Sequence, residues 1–257
     1  MAFQAALDRD LLRFRTDSAL NQIVRDVAAS APGAELVDLA AALARESPDG
    51  ILGDELLYEH VHLNFPGAYA VARQLFLRVE ADLARRKLIG EPLRSRELVS
   101  LAAARRRLGY TTYEQAMIIK ELRARFAGPP FSQQSGHVAR EQLYAQRETA
   151  ATRMLAQPEA REKLVTAYEQ ALAESPDDWL LRRNAGMALV ALGFAEQARL
   201  HLERVAATIP DDPDTLFALG SAQRALGEAE AAEKAFVALR KLEPNYPGLP
   251  APAGAGR

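Results

Sequence analysis

A chain of 257 residues without a single cysteine has room for two modest domains but can hold no disulfide, no thiolate metal site and no cysteine nucleophile. It is 49% hydrophobic and 26% charged, with a formal net charge of -2, which is the balance of an ordinary soluble protein. No apolar run approaches the about 20 residues that a membrane span needs.

Met1 to Phe14 mixes acids and arginines with its apolar residues and lacks the basic flank and apolar stretch of a secretory signal. As it stands the chain reads as cytoplasmic, and an exported form would need a signal or anchor upstream of Met1. Asp17 to Ser30 predicts an amphipathic helix with Leu20, Ile23, Val24 and Val27 on one face. Ala34 to Leu39, entered through Pro32-Gly33, reads as a short strand, followed by a short helix over Ala40 to Arg45. Turn residues fill Ser47 to Asn64, and Phe65-Pro66-Gly67 opens a long helix to about Arg86. A lone strand cannot satisfy its own backbone, since each buried N–H or C=O without a partner costs about 1 to 3 kcal/mol. The expectation is therefore an α/β domain whose other strands lie outside this chain or come from another one.

The chemistry sits in the loop Glu55-Leu56-Leu57-Tyr58-Glu59-His60-Val61-His62-Leu63-Asn64-Phe65-Pro66-Gly67. A carboxylate three residues before a histidine can curl back to accept the imidazole N–H, which sets the tautomer and stabilises the imidazolium when the other nitrogen takes a proton from a serine. The block resembles the last one of GDSL/SGNH hydrolases, Asp-x-x-His followed by Asn-x-x-Gly, with Glu59 in the aspartate's place, His62 as the base, and Asn64 and Gly67 following. Leu12 to Ser18 and Gly128 to Ser132 are similar to segments of bacterial proteins that join such a hydrolase to tetratricopeptide repeats. The resemblance implies an acyl ester substrate for a full-length enzyme, with Glu59 and His62 as catalytic residues. It also implies a nucleophile block, Gly-Asp-Ser, far more residues upstream than the 61 that precede His62. Thr16-Asp17-Ser18-Ala19-Leu20 mimics that block superficially, but neither a strand nor a glycine precedes it and Ser18 fits a helix start. Glu59 and His62 are then a base pair with nothing to activate. Two plainer readings stand beside this one: a hydrogen-bonded loop staple, and a metal site of His60 and His62 with Asp54 or Glu55, for which the sequence places no further ligands.

Glu91 to Gln146 predicts a helical connector, with helices over Ser95 to Leu108 and Thr112 to Phe126 and Thr112 as N-cap. Leu98, Leu101, Ala102 and Leu108 form one face and Arg105-Arg106-Arg107 the other. Between Arg85 and Arg125 there are eleven Lys and Arg against four Asp and Glu. The arginines alternate with Ala and Leu at helical spacing, and no nucleic-acid motif accompanies them, so they read as a solvated face rather than a nucleic-acid groove.

Prolines at Pro176, Pro210 and Pro244 stand 34 residues apart, and Gly186 with Gly220, Leu192-Gly193 with Leu226-Gly227, Ala198 with Ala232 and Leu202 with Phe236 keep the same offset. A fixed period of this length is the signature of a solenoid of helical hairpins. The small residues permit close helix approach, the glycines after Leu192 and Leu226 suit a left-handed helix end, and Tyr168, Leu202 and Phe236 fill the space between hairpins. The segment resembles the tetratricopeptide repeats: Trp179 to Pro210 and Pro213 to Pro244 are good repeats, and Gln142 to Ser175 is a degenerate one that caps the stack. It departs from the pattern at Arg182, where a large residue is common. The resemblance implies a concave face of first helices presenting Arg183, Met187, Val190, Phe217, Ser221 and Arg224 to a protein or peptide. The Pro-, Gly- and Ala-rich residues Pro247 to Arg257 read as a disordered tail.

The expected architecture is therefore mainly α: an α/β remnant of an SGNH hydrolase domain over residues 1–90, a helical connector over 91–146, a tetratricopeptide α-solenoid over 147–246 and a tail over 247–257. No cofactor, metal, nucleic acid or membrane span is expected. The function expected is a repeat protein carrying the acid/base block of an ester hydrolase, catalytically incomplete as this chain, with a non-enzymatic interaction scaffold as the alternative.

Overall fold

The computed structural model describes residues 2–10, 15–59, 61–90 and 98–251. The described residues are mainly helical, with twelve α-helices and no strand. The chain divides into two compact units, Met1–Leu101 and Ala102–Arg257.

The first unit holds α1 (Ala2–Asp8), α2 (Ser18–Ser30), α3 (Leu39–Glu46) and α4 (Phe65–Arg85). Asp17 caps α2, its carboxylate accepting the N–H of Leu20 at 2.8 Å, so Ser18 is the first helical residue rather than the cap. The apolar face of α2 is not buried: Leu20, Ile23, Val24 and Val27 are 46 to 59% exposed. The strand expected over Ala34 to Leu39 does not form. Asp38 instead caps α3 by accepting the N–H of Ala41 at 3.0 Å, which draws Leu39 into the helix, and no neighbouring strand among the described residues offers ladder bonds to the rest. Side chains hold the segment between two helices: Arg25 of α2 bonds Asp38 at 2.7 Å, and Arg78 of α4 reaches Glu35 at 2.7 Å. Among the described residues an apolar core gathers Leu43, Leu56 and Ala70 with Leu52, Leu63 and Val71 around them. It joins α3, the 52–63 loop and the first turns of α4.

The division falls after the first residue of α5 (Leu101–Arg107), and the second unit holds the rest of that helix and α6 (Thr112–Phe126). The cap of α6 is Thr111, one residue before the expected Thr112, because Glu114 completes a capping box with it. Helix α5 has no buried residue, and Leu108, expected on a packing face, is 60% exposed. The docking is done by the turn after it: a Cβ at Gly109 would lie 2.9 Å from Leu181 and 3.3 Å from Tyr168. The arginines have partners, Arg107 with Glu174 at 2.9 Å, Arg105 over the Tyr110 ring at 5.7 Å, and Arg123 with Glu141 and Glu148.

Helix α7 (His137–Leu155) packs chiefly on α6 and only lightly on α8 (Pro158–Glu174), and two helical hairpins follow, α9 (Trp179–Leu192) with α10 (Ala195–Thr208) and α11 (Pro213–Ala225) with α12 (Ala229–Leu242). The starts of α9 and α11, and of α10 and α12, are 34 residues apart, as the period requires. Within the last two hairpins the close approach is real. A Cβ on Gly186 would sit 2.6 Å from Leu202, and one on Gly220 would sit 2.7 Å from Phe236. Tyr168, Leu202 and Phe236 are at most 2% exposed. Helix α11 packs on α9 and α10, where Leu189, Ala198 and Leu202 meet Ala218, Leu219 and Ala222. Residues 247–251, the first part of the segment read as a disordered tail, lie against this last hairpin; residues 252–257 fall outside the described residues.

Candidate functional site

The loop before α4 is a tight hairpin. Leu57 and Leu63 form an antiparallel bridge, Tyr58 N–H donates to the carbonyl of His62 at 2.8 Å, and Asn64 N–H donates to that of Leu56 at 3.0 Å. Glu59 occupies the tip. Its carboxylate accepts the backbone N–H of Val61 at 3.1 Å and of His62 at 2.8 Å, and the same oxygen that takes the second bond, Oε1, also meets Nδ1 of the His62 ring. The Glu59 side chain is 1% exposed and that of His62 62%. A carboxylate can only accept, so Nδ1 carries the proton and Nε2 is left as the basic nitrogen on an exposed ring. No hydroxyl among the described residues bonds that nitrogen. The Ser18 hydroxyl is engaged elsewhere, accepting from Gln4 Nε2 at 2.8 Å.

Asn64 and Gly67 hold this hairpin to the helix. Asn64 caps α4, its side-chain oxygen accepting the N–H of Gly67 at 3.0 Å, while its amide donates to the carbonyl of Asp54 at 3.0 Å. A Cβ at Gly67 would fall 2.1 Å from the carbonyl oxygen of Leu56, so only glycine lets the helix start this close to the loop. The Asn-x-x-Gly spacing thus has a local reason in the cap and the contact. His60 lies outside the described residues, and among those described no group of three or more histidines and carboxylates is placed to hold a metal ion.

The residues expected on the concave face of the repeats are brought to neighbouring positions, but their contacts are largely internal. Arg183 pairs with Asp212 at 3.0 Å and Asp214 at 3.6 Å and lies over the Trp179 ring at 5.6 Å. Burial pushes the Asp212 carboxyl up, yet the bonds from Thr215 and the Arg183 guanidinium outweigh it and hold the group below its ordinary value. Met187 and Val190 pack on the core between α9 and α11. Ser221 donates its hydroxyl to the carbonyl of Phe217 at 2.8 Å, and Arg224 lies over the Phe236 ring at 5.4 Å. Phe217 packs against Tyr246 with the rings tilted and 5.1 Å between centroids, and the Tyr246 hydroxyl donates to Asp214 at 2.7 Å. Tyr246 is a residue that the concave-face pattern does not reach. Its signal is nonetheless in the sequence, since Tyr246-Pro247 stand 34 residues after Asp212-Pro213.

Compared with known proteins, the chain matches no family model, no curated protein and no solved structure.

Proposed function

We propose that the chain is a tetratricopeptide-repeat protein carrying the C-terminal acid/base block of a GDSL/SGNH-type ester hydrolase, and that alone it lacks the nucleophile. The observation that carries this reading is the buried Glu59 carboxylate fixed by two backbone N–H groups and bonded to Nδ1 of an exposed His62. Such a carboxylate orients the ring and stabilises the imidazolium, so that Nε2 can accept a hydroxyl proton during attack on an acyl ester. The exposed apolar face of α2 and the unladdered segment between α2 and α4 also fit it, because an α/β domain would cover both with further strands. The repeat array supplies the interaction half of the proposed function, receiving a protein or peptide partner.

The alternative, a scaffold with no enzymatic role, is favoured by one specific observation: Asn64 and Gly67 are accounted for by the helix cap and the close contact alone. Hydrolysis of chromogenic acyl esters separates the readings. This chain should give no turnover above buffer, and a form extended upstream to include a Gly-Asp-Ser block should give turnover lost in His62→Ala. Turnover by this chain alone that His62→Ala abolishes would overturn the missing nucleophile. Turnover of the extended form that ignores His62 would overturn its role as base.

A further inference from the structure

The 34-residue register continues past α12, but the residues there depart from the helical pattern. Pro244-Asn245-Tyr246-Pro247 follows Pro210-Asp211-Asp212-Pro213 by one period, but Gly248 and Pro250 fall where α11 has Asp214 and Leu216, and among the described residues no helix starts. The contacts keep the register even so. Arg183 on α9 meets Asp212 at 3.0 Å, and 34 residues later Phe217 on α11 meets Tyr246 at 5.1 Å.

Beyond Tyr246 the segment crosses the end of the hairpin. A Cβ on Gly248 would be 3.4 Å from Phe217, and the carbonyl of Pro250 accepts from Arg240 of α12 at 3.2 Å. The segment thus runs from α11 to α12, the place that α11 itself takes on α9 and α10 one repeat earlier. The face below has changed in the same sense. Its counterparts of Leu189, Ala198 and Leu202 are Gln223, Ala232 and Phe236. Gln223 is 8% exposed, and its Oε1 is buried without a hydrogen-bond partner. Solenoid ends need a polar or covered outer face, because an uncovered hairpin presents the surface on which the next one stacks.

We propose that Tyr246 to Ala251 is a pseudo-repeat cap that closes this end face against the same face of a second copy of the chain. Without it, two identical end faces, each with the Phe217 ring uncovered, can meet about a two-fold axis, the commonest geometry for self-association. The inference stands on the 34-residue register and does not depend on the hydrolase reading.

Removal of residues 244–257 tests it, with mass measured by light scattering across a range of concentrations. The truncated chain should show twice the mass of the full chain, in a concentration-dependent way, and Phe217→Glu in the truncated background should return it to the full chain's mass. Equal masses at every concentration, with helix content retained, would overturn the proposal. If truncation lowers the helix content, Tyr246→Ala in the full chain decides. A rise in mass relative to the parent, reversed by Phe217→Glu, supports the cap, and an unchanged mass overturns it.

Discussion

The hydroxyl of Tyr168 on α8 donates to the carboxylate of Glu114 on α6, which ties the connector to the repeat array through a group that already closes a helix cap. The Glu114 carboxylate also accepts the N–H of Thr111 at 2.8 Å and its hydroxyl at 2.6 Å. Tyr168 is 1% exposed, and burial together with the neighbouring carboxylate pushes its hydroxyl well above the ordinary tyrosine value. Tyr168→Phe should therefore destabilise the second unit by about 1.5 to 3 kcal/mol, the range for a hydrogen bond to a charged group, in urea unfolding at neutral pH. Because the folded state raises this pKa, its stabilisation is complete below the unfolded value of about 10 and declines as pH rises past it. The parent should lose stability above that pH more steeply than Tyr168→Phe does.

Asp212 is the opposite case. Its lowered carboxyl stabilises the fold above the ordinary carboxylate range, and the contribution is lost as pH falls through that range toward the depressed folded value. Asp212→Ala removes the cap of α11 and the partner of Arg183, so a loss of about 1 to 2 kcal/mol at neutral pH is expected. The difference from the parent should shrink in acid. A difference that grows on acidification would contradict the assignment.

Gly67→Ala should destabilise the first unit by about 2 to 3 kcal/mol, as overpacking against a backbone atom does, because the new Cβ meets the Leu56 carbonyl head-on. Gly90→Ala is the matched control: a Cβ there meets nothing within 4 Å among the described residues, and thermal unfolding should move little.

The face of α2 makes a fourth test. Ile23→Lys with Val27→Lys should leave stability within about 0.5 kcal/mol, as surface substitutions do, while lowering the binding of a hydrophobic dye. A loss of several times that amount would mean that the two side chains, at 56 and 59% exposure, are covered in solution.

The repeat is legible because a solenoid writes its contacts at a fixed offset: Gly186 and Gly220 are small for the same reason, each facing the residue that fills its own hairpin, Leu202 or Phe236. Boundaries of α2, α4 and the later helices follow from caps and prolines. Ala34 to Leu39 misleads because its short run of apolar residues satisfies a strand pattern, whereas a strand also needs a neighbour, and Asp38 makes a better cap than ladder residue. The exposure of α2 cannot be read from an amphipathic pattern, which marks an apolar face without saying what covers it. The concave-face residues follow from the period, but the partners of Arg183 and Phe217 do not, since Asp214 and Tyr246 come from the next repeat's opening turn. Glu59 and His62 stand out by spacing alone. The two N–H groups that fix the carboxylate depend on a hairpin whose bridge, Leu57 to Leu63, lies in no strand pattern.

Nitrogen-detected NMR of the His62 ring, in the full chain above the pH at which the imidazole loses its charge, tests the proposed base most directly. The neutral ring should carry its proton on Nδ1, with that proton shifted far downfield, slow to exchange, and lost as a resolved signal in Glu59→Ala. A neutral ring protonated mainly on Nε2, or one whose spectrum ignores Glu59→Ala, would contradict the claim that this carboxylate sets the histidine up to take a proton.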